Sequence, residues 1–190
     1  MMYDIAKNNY NMKIALVPAS GKPIHAGHWG LIELASRECD EVRLFISTSD
    51  RIRKGEIPIY GADMKRIWDD YLEPALPENV EVTYGGSPVQ HVYEELETAE
   101  ASRNRTTTFR IYSDAEDILK YTDAGLSKSA PTLFSRGQIE RRGVDRNETV
   151  NVSGTKMREF MSKGDVKNFK KFLPNEVRQY AGEILKILKK

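Results

Sequence analysis

Short apolar runs alternate along this chain with segments whose apolar residues recur at helical spacing. Strands are predicted at residues 13–17, 42–47, 80–86 and 106–113, the first two of them buried, and helical segments at residues 27–38, 62–72, 89–97 and 114–122. Parallel strands need crossover connections, which are usually helices. The alternation therefore predicts an α/β protein with a single doubly wound parallel sheet.

The remaining third of the chain is less regular. Residues 135–148 are highly charged and are predicted to form a surface loop, while VNVSGTKMREFM at 150–161 is predicted to be a last short strand that turns into a helix. An amphipathic helix with Pro174 near its start is expected to close the chain at 173–190. We expect one domain at residues 13–190, preceded by a polar N-terminal extension at residues 1–12.

Charge and composition exclude several classes of function. The 190 residues include 29 Lys and Arg against 28 Asp and Glu, so there is no general basic excess for binding nucleic acid. Cys39 is the only cysteine, which rules out an intramolecular disulfide and fits a reducing compartment. No apolar run has the length of a membrane span or of a signal peptide. We expect a cytoplasmic protein, and a homo-oligomer is an open alternative.

The segment HAGH at 25–28 holds two of the three histidines in the chain and follows the first predicted strand. Gly27 allows close approach of a ligand, and the free N–H groups at a helix start favour an anion. His25 and His28 can project to the same side of that helix start, which predicts a phosphate clamp. A zinc site is a weaker alternative, because no third histidine or cysteine lies at a suggestive position. Two unrelated histidines are the other alternative.

A second strand-to-helix junction is predicted at VSGTKMR, residues 152–158. Ser153 or Thr155 can cap the helix, and Gly154 allows close approach. Lys156 and Arg158 lie in the first turn, where the helix dipole disfavours cations, so their position suggests an anionic partner. A capped surface helix with solvated basic residues is the alternative. Because ligands of doubly wound sheets bind at the carboxyl ends of the strands, the two junctions are expected to meet there.

Together, the two junctions resemble the nucleotidyltransferase superfamily that carries the HxGH signature. This superfamily includes nicotinamide mononucleotide adenylyltransferases, pantetheine-phosphate adenylyltransferases and small cytidylyltransferases. Its first motif is roughly G-x-F-x-P-x-H-x-G-H and its distal motif I-S-x-T-x-x-R; the matching residues are Pro23, His25, Gly27, His28, Ser153, Thr155 and Arg158. Ala19 and Gly21 replace the glycine and the aromatic residue of the first motif, and Val152 stands for the isoleucine.

The resemblance implies a Rossmann-like sheet of the nucleotidyltransferase type with a C-terminal helical segment. It also implies transfer of a nucleoside monophosphate from a nucleoside triphosphate to a small phosphate-bearing acceptor, with release of pyrophosphate. ATP is favoured over CTP as the partner, because the R-T-x-G-I-S-T-T stretch of small cytidylyltransferases is missing. Mg²⁺ is expected to arrive with the triphosphate rather than through metal ligands of the chain.

The resemblance assigns roles to particular residues. The expected catalytic residues are His25, His28, Lys22 and Arg158. The expected nucleotide-binding residues are Ser20, Gly21, Gly27, Ser153, Gly154, Thr155, Lys156 and Arg158, although the family does not require a lysine at position 156.

Some side chains are weaker candidates. Arg51, Arg53 and Lys54 follow the second strand and either bind the acceptor's phosphate or form a solvated loop. Asp114 either meets a ribose hydroxyl or caps the next helix. His91, Trp29 and Trp68 are expected to pack rather than bind a ligand, although Trp29 is close enough to His28 to line a pocket.

Two rival functions remain open. Class I aminoacyl-tRNA synthetases carry an HIGH-like motif and a lysine-rich loop, for which Met161-Ser162-Lys163 is the candidate, but 190 residues leave no room for a tRNA-binding domain. A non-catalytic nucleotide-binding or regulatory protein is favoured by the altered turn around Ala19 and Gly21. Intact charged and hydroxyl-bearing motif positions favour catalysis.

Overall fold

The computed structural model describes residues 12–189, and within them the sheet has five parallel strands. The strands are β1 (Met12–Ala19), β2 (Glu41–Ile46), β3 (Val80–Tyr84), β4 (Thr107–Asp114) and β5 (Ile139–Val144). Their order across the sheet is β3-β2-β1-β4-β5, and every neighbouring pair is parallel. Apart from Met12, which belongs to β1, the predicted extension at residues 1–12 lies outside the described residues.

Helices connect the strands and form the C-terminal segment. They are α1 (Ala26–Glu38), α2 (Gly61–Ile67), α3 (Pro88–Ala101), α4 (Asp123–Ser129), α5 (Pro131–Ser135), α6 (Gly154–Lys163), α7 (Val166–Phe172) and α8 (Ala181–Leu188). A π-helical turn at Trp68–Leu72 and a 3-10 turn at Glu73–Ala75 extend α2. Further 3-10 turns lie at Asp117–Lys120, Arg146–Glu148 and Asn175–Tyr180.

The sheet buries both of its faces. In β1 the side chains of Ala15 and Val17 pack into one core with residues of α1, α2 and the C-terminal helices, whereas Ile14 and Leu16 pack into a second core with residues of α3, α4 and α5. Such alternation follows from the two-residue period of a strand. Helices therefore cover both faces, and the predicted doubly wound α/β fold is confirmed. Trp29 and Trp68 are buried in the first core, as expected.

The charged segment at 135–148 is not a surface loop, and this prediction was wrong. It contains β5, an edge strand that pairs with β4 along its whole length. The charges of β5 are accommodated by ion pairs, Glu140 with Arg110 and Arg142 with Glu148. Apart from Ile139 and Val144 at its ends, β5 consists of charged residues and a glycine, so it carries no apolar alternation that the sequence could reveal.

Three other predicted elements also differ from expectation. Residues 150–153 do not form a strand: the N–H of Val152 donates to the carbonyl oxygen of Val150 at 2.9 Å, a tight turn that leads into α6. The predicted helix at 114–122 is only a 3-10 turn at Asp117–Lys120. The predicted C-terminal helix is divided into the 3-10 turn Asn175–Tyr180 and the helix α8.

The strand order fixes where a ligand can bind. From β1 the chain moves outward to β2 and β3, then crosses back to β4 on the other side of β1. Strand order thus reverses between β1 and β4, and a crevice is expected at their carboxyl ends. The described part of the chain, residues 12–189, has no helix that is both long and apolar enough to span a bilayer.

Candidate functional site

A cavity lies where the strand order reverses, and we call it the site cavity. It is lined by the ends of β1, β4 and β5, the start of α1 and the segment that leads into α6; its residues include Ala19, Ser20, His25, Gly27, His28, Ser113, Asp114, Arg146, Thr149, Val150, Ser153 and Gly154. The two junctions that the sequence singled out, HAGH and the start of SGTKMR, therefore face one cavity.

His25 is fixed by the backbone of the helix that it precedes. It is the N-cap of α1, and its Nδ1 accepts hydrogen bonds from the N–H groups of Gly27 at 3.1 Å and His28 at 3.3 Å. Because Nδ1 accepts, the proton of the neutral ring lies on Nε2, which can donate to a ligand. Burial, the His28 ring and the nearby Arg146 and Arg158 lower the pKa of His25 to about 2. The ring is therefore neutral at pH 7.

His28 stacks on His25 and differs from it in having no fixed partner. The ring centroids are 3.7 Å apart with an angle of 22° between the planes. Nδ1 of His28 is buried and has no hydrogen-bond partner among the described residues. Burial lowers the pKa of His28 to about 4, with Asp114 opposing the shift and Arg146 adding to it. Two neutral rings at a helix N-terminus form a donor pair suited to a phosphate oxygen.

Two glycines of α1 let the chain pass close to this helix. A Cβ on Gly27 would lie 3.0 Å from the His25 ring and 3.0 Å from the carbonyl oxygen of Val150. A Cβ on Gly30 would lie 2.8 Å from Cβ of Thr149. The segment at 149–150 therefore packs directly on α1, which brings the approach to α6 against the histidines.

The start of α6 is capped as the sequence predicts. The Ser153 hydroxyl accepts a hydrogen bond from the N–H of Lys156 at 3.2 Å, and Ser153 and Gly154 line the site cavity. Thr155 and Lys156 are exposed and do not line it; Nζ of Lys156 pairs with Glu159 at 3.4 Å. In this arrangement the lysine belongs to the outer surface of α6.

Arg158 is buried behind the cavity wall. Its Nη1 donates to the carbonyl oxygen of Lys22 at 2.8 Å and its Nη2 to the Thr155 hydroxyl at 3.2 Å. Nε lies 3.2 Å from Glu56 Oε2 in an ion pair, although its N–H makes no hydrogen bond. A Cβ on Gly154 would lie 2.9 Å from Nη1, so the glycine makes room for the guanidinium. Arg158 thus joins α6 to the turn after β1.

The turn after β1 places Ser20 and Lys22 differently. Ser20 lines the site cavity, whereas Gly21, which has a φ of +52°, does not. The buried Lys22 donates from Nζ to the hydroxyls of Ser47 and Ser49, each at 3.1 Å. Burial lowers the pKa of Lys22, while the charge of Asp50 opposes the shift. Lys22 therefore connects the ends of β1 and β2 and does not line the cavity.

Arg146 is the charged site residue of most consequence that the sequence did not reveal. Among the described residues it is the one lysine or arginine that lines the site cavity, and its charge contributes to the lowered pKa of both histidines. It follows β5, the strand that was mistaken for a loop, so the sequence offered no reason to place it at the carboxyl edge of the sheet. Ser113 and Asp117 of the cavity were missed as well.

The weaker candidates have mostly structural partners. Asp114 lines the cavity and also caps the following turn, its Oδ1 accepting from the N–H groups of Glu116 at 3.0 Å and Asp117 at 2.7 Å. His91 lies outside the cavity, with Nε2 2.9 Å from the carbonyl oxygen of Gly85. Arg51 pairs with Glu56 at 3.0 Å, and Arg53 and Lys54 are exposed. Cys39 is buried against the Tyr112 hydroxyl.

Comparison with known proteins adds little to this geometry. No protein-family model and no curated protein matches the chain. A solved structure with a similar chain path is Thermotoga maritima TmcAL bound with alpha-thio ATP, at 13% identity and a TM-score of 0.48, covering 92% of this chain. The chain spans 55% of the length of that protein.

Proposed function

We propose that the chain is a nucleotidyltransferase, which moves a nucleoside monophosphate from a nucleoside triphosphate to a small phosphate-bearing acceptor. The observation that carries the proposal is the site cavity itself, in which the HAGH imidazoles and the capped start of α6 face the same space at the carboxyl ends of β1 and β4. Two helix N-termini aimed at one space favour a polyanion such as a triphosphate.

The reaction needs little proton transfer. An oxygen of the acceptor phosphate, largely dianionic near pH 7, forms a bond to the α-phosphorus, and the bond from that phosphorus to the bridging oxygen of the β-phosphate breaks. Pyrophosphate departs with the electron pair of that bond. The protein must hold the reacting groups in line and stabilise the charge on the transferring group. His25 and His28 serve as neutral donors in this role, and Arg146 supplies positive charge.

Mg²⁺ bound to the triphosphate would neutralise part of its charge. The oxygen donors present at the cavity, the carboxylates of Asp114 and Asp117, are of the type that this ion prefers. Residues 12–189 contain no cluster of three or more His, Cys, Asp or Glu side chains suited to holding a metal. This donor set suits an ion that enters with the nucleotide and is held by its phosphates and water.

ATP is the proposed nucleotide, with CTP as the alternative, and nicotinamide mononucleotide is the first acceptor to test. The test is incubation with ATP or CTP, Mg²⁺ and a panel of phosphorylated acceptors, with release of pyrophosphate as the measurement. Release that depends on the acceptor is expected. A protein that binds nucleotide but releases no pyrophosphate with any acceptor would contradict the transfer reaction.

A non-catalytic nucleotide-binding protein is the second candidate. The observation in its favour is the position of Arg158, which lies outside the cavity lining and is occupied by Glu56, Thr155 and the carbonyl oxygen of Lys22. If that arrangement persists with nucleotide bound, one of the positive charges expected at the phosphates is missing. Binding measured by calorimetry beside the turnover assay separates the two candidates.

A further inference from the structure

Two arginines meet a single carboxylate beside the site cavity. Oε2 of Glu56 lies 3.0 Å from Nη2 of Arg51 and 3.2 Å from Nε of Arg158. The two arginines come from separate parts of the chain, the loop after β2 and the helix α6, and the carboxylate comes from the same loop. We call these three residues the arginine cluster.

The carboxylate of Glu56 does not accept hydrogen bonds from all the N–H donors of the two arginines. Nε of Arg51 and Nε of Arg158 are both buried and donate no hydrogen bond within the described residues. Arg158 Nε lies 3.2 Å from Glu56 in the ion pair, but buried donors of charged groups that lack a well-aligned acceptor are costly. A phosphate group presents more oxygens than a carboxylate and pairs well with guanidinium donors. The cluster therefore has donor capacity that fits a larger oxyanion.

The excess of positive charge in the arginine cluster also favours a larger oxyanion. Burial and the nearby charges of Arg51 and Arg53 disfavour the charged form of Arg158 and lower its pKa, while Glu56 opposes this shift. Guanidinium groups stay protonated in proteins, so these cations repel one another, with Glu56 between Arg51 and Arg158. Replacing a single negative charge by the higher charge of a phosphate would relieve more of that repulsion.

The loop that carries Glu56 is fixed at its base and open at its tip. Arg51 and Ile59 exchange backbone hydrogen bonds of 2.8 and 2.9 Å, and Asp50 accepts from the N–H of Gly61 at 2.8 Å. The tip is exposed at Ile52, Arg53, Lys54 and Gly55, and Gly55 has no atom within 4 Å of where its Cβ would lie. Glu56 can therefore leave the arginines while the base of the loop keeps Arg51 in place.

The cluster also adjoins the site cavity. Nη1 of Arg158 lies against Gly154, which lines that cavity, and donates to the carbonyl oxygen of Lys22 in the turn after β1. The arginine cluster and the site cavity are therefore separated only by the wall that contains Gly154.

Arg158 is already expected to bind phosphate; we propose that Arg51 belongs to the same site and that Glu56 is an internal occupant of it, which the phosphate group of the ligand displaces. The inference rests on the proposed function only for the identity of the ligand, a nucleoside triphosphate or the pyrophosphate released from it. In the absence of ligand Glu56 keeps the two guanidinium groups paired, and its departure couples binding to an opening of the loop tip.

The test is calorimetric binding of tripolyphosphate and of inorganic phosphate, without acceptor or turnover, to the intact protein and to Glu56→Gln. The variant keeps the size of the side chain but removes the competing charge, so it should bind tripolyphosphate roughly threefold to tenfold more tightly. Glu97→Gln, which removes one negative charge from an exposed position on α3, is the matched control and should change the affinity little. Thermal melting without phosphate verifies that each variant is folded.

Unchanged or weaker binding of tripolyphosphate by folded Glu56→Gln would overturn the inference, because Glu56 would then be remote from the anion or would support its binding. Tighter binding of tripolyphosphate alone assigns the site to a polyphosphate chain, and equally tighter binding of inorganic phosphate assigns it to any phosphate group. Failure of nucleotidyl transfer would leave this result intact, so the two proposals can fail separately.

Discussion

The two sides of the site cavity hold their donors by different means. On the α1 side, His25 and His28 are neutral, are stacked on each other and line the cavity directly. On the α6 side, Arg158 is charged and buried, and it is bound to other groups of the protein. One side is arranged for a ligand as it stands, whereas the other has its own carboxylate partner.

The difference follows from the free energy of burying a charge. A neutral imidazole in a cavity can have an N–H group without an acceptor at a small cost in free energy, since only that one polar group lacks a partner. A buried guanidinium cannot be left unpaired in the same way, because its desolvation must be offset by a nearby negative charge. A site that is to receive a polyanion can therefore preorganise neutral donors, while its buried cations need an exchangeable partner.

Removing the imidazole of His28 tests the first side and has the largest expected effect. His28→Ala should lower turnover by about two to three orders of magnitude, the range expected when a donor to the transferring group is lost. The fold should remain, because Nδ1 of His28 has no hydrogen-bond partner to lose. The measurements are initial rates of pyrophosphate release and a melting curve.

His91→Ala is the control for loss of a histidine elsewhere. His91 contacts the carbonyl oxygen of Gly85 and the side chain of Glu94 and does not line the site cavity. Turnover of this variant should equal that of the unchanged protein. If His28→Ala also turned over normally, the stacked rings would be structural and the comparison of the two sides would lose its basis.

The sequence predicts the α1 side of the site better than the rest. Parallel strands deliver their carboxyl ends to one edge, so an apolar run followed by HAGH is enough to place His25 and His28 at that edge. Four of the five strands could be located in the same way, because they are central or bury apolar side chains.

The α6 side depends on contacts that no local pattern contains. The charges of β5 concealed the strand, and with it the reason why Arg146 lies at the cavity. The partner of Arg158, Glu56, is about a hundred residues away in the chain and was not a candidate. Spacing along the chain therefore indicated that Arg158 belongs near the ligand but could not show what it contacts.

Gly27→Ala tests the close packing on the α1 side and should have an intermediate effect. The new Cβ would lie 3.0 Å from the His25 ring and 3.0 Å from the Val150 carbonyl oxygen, so the ring or the segment must shift. We expect nucleotide affinity to fall by about tenfold, since a small displacement of a donor weakens its contact strongly. Calorimetric titration with ATP and Mg²⁺ measures the change.

Gly182→Ala is the matched control for a glycine replaced within a helix. No atom lies within 4 Å of its Cβ position in α8, so this variant should keep its affinity and gain up to ~1 kcal/mol in stability from helix propensity. An equal loss of affinity in both variants would show that the packing at Gly27 has no specific role.

The smallest expected effect is on the melting temperature, whose dependence on pH should differ between the α1 side and the α6 side of the site cavity. The pKa values of His25, about 2, and His28, about 4, lie below the usual 6.5, so the unfolded chain binds protons that the folded chain excludes. The stability that the neutral rings provide is complete above pH 6.5 and is lost progressively as the pH falls toward 4 for His28 and toward 2 for His25.

The melting temperature should therefore fall by several degrees between pH 7.5 and pH 5, a range in which most carboxylates stay ionised. His28→Gln should remove about half of this slope, because one of the two excluded protons is gone.

The arginine cluster should not respond to pH in this range. Burial favours the neutral form of Glu56, but the charges of Arg158 and Arg51 outweigh burial and lower the pKa of that carboxyl. The cluster therefore keeps its charges between pH 7.5 and pH 5. Glu56→Gln should therefore shift the melting temperature by the same amount at every pH, and a slope that changes with Glu56→Gln but not with His28→Gln would reverse the assignment of neutral and charged sides.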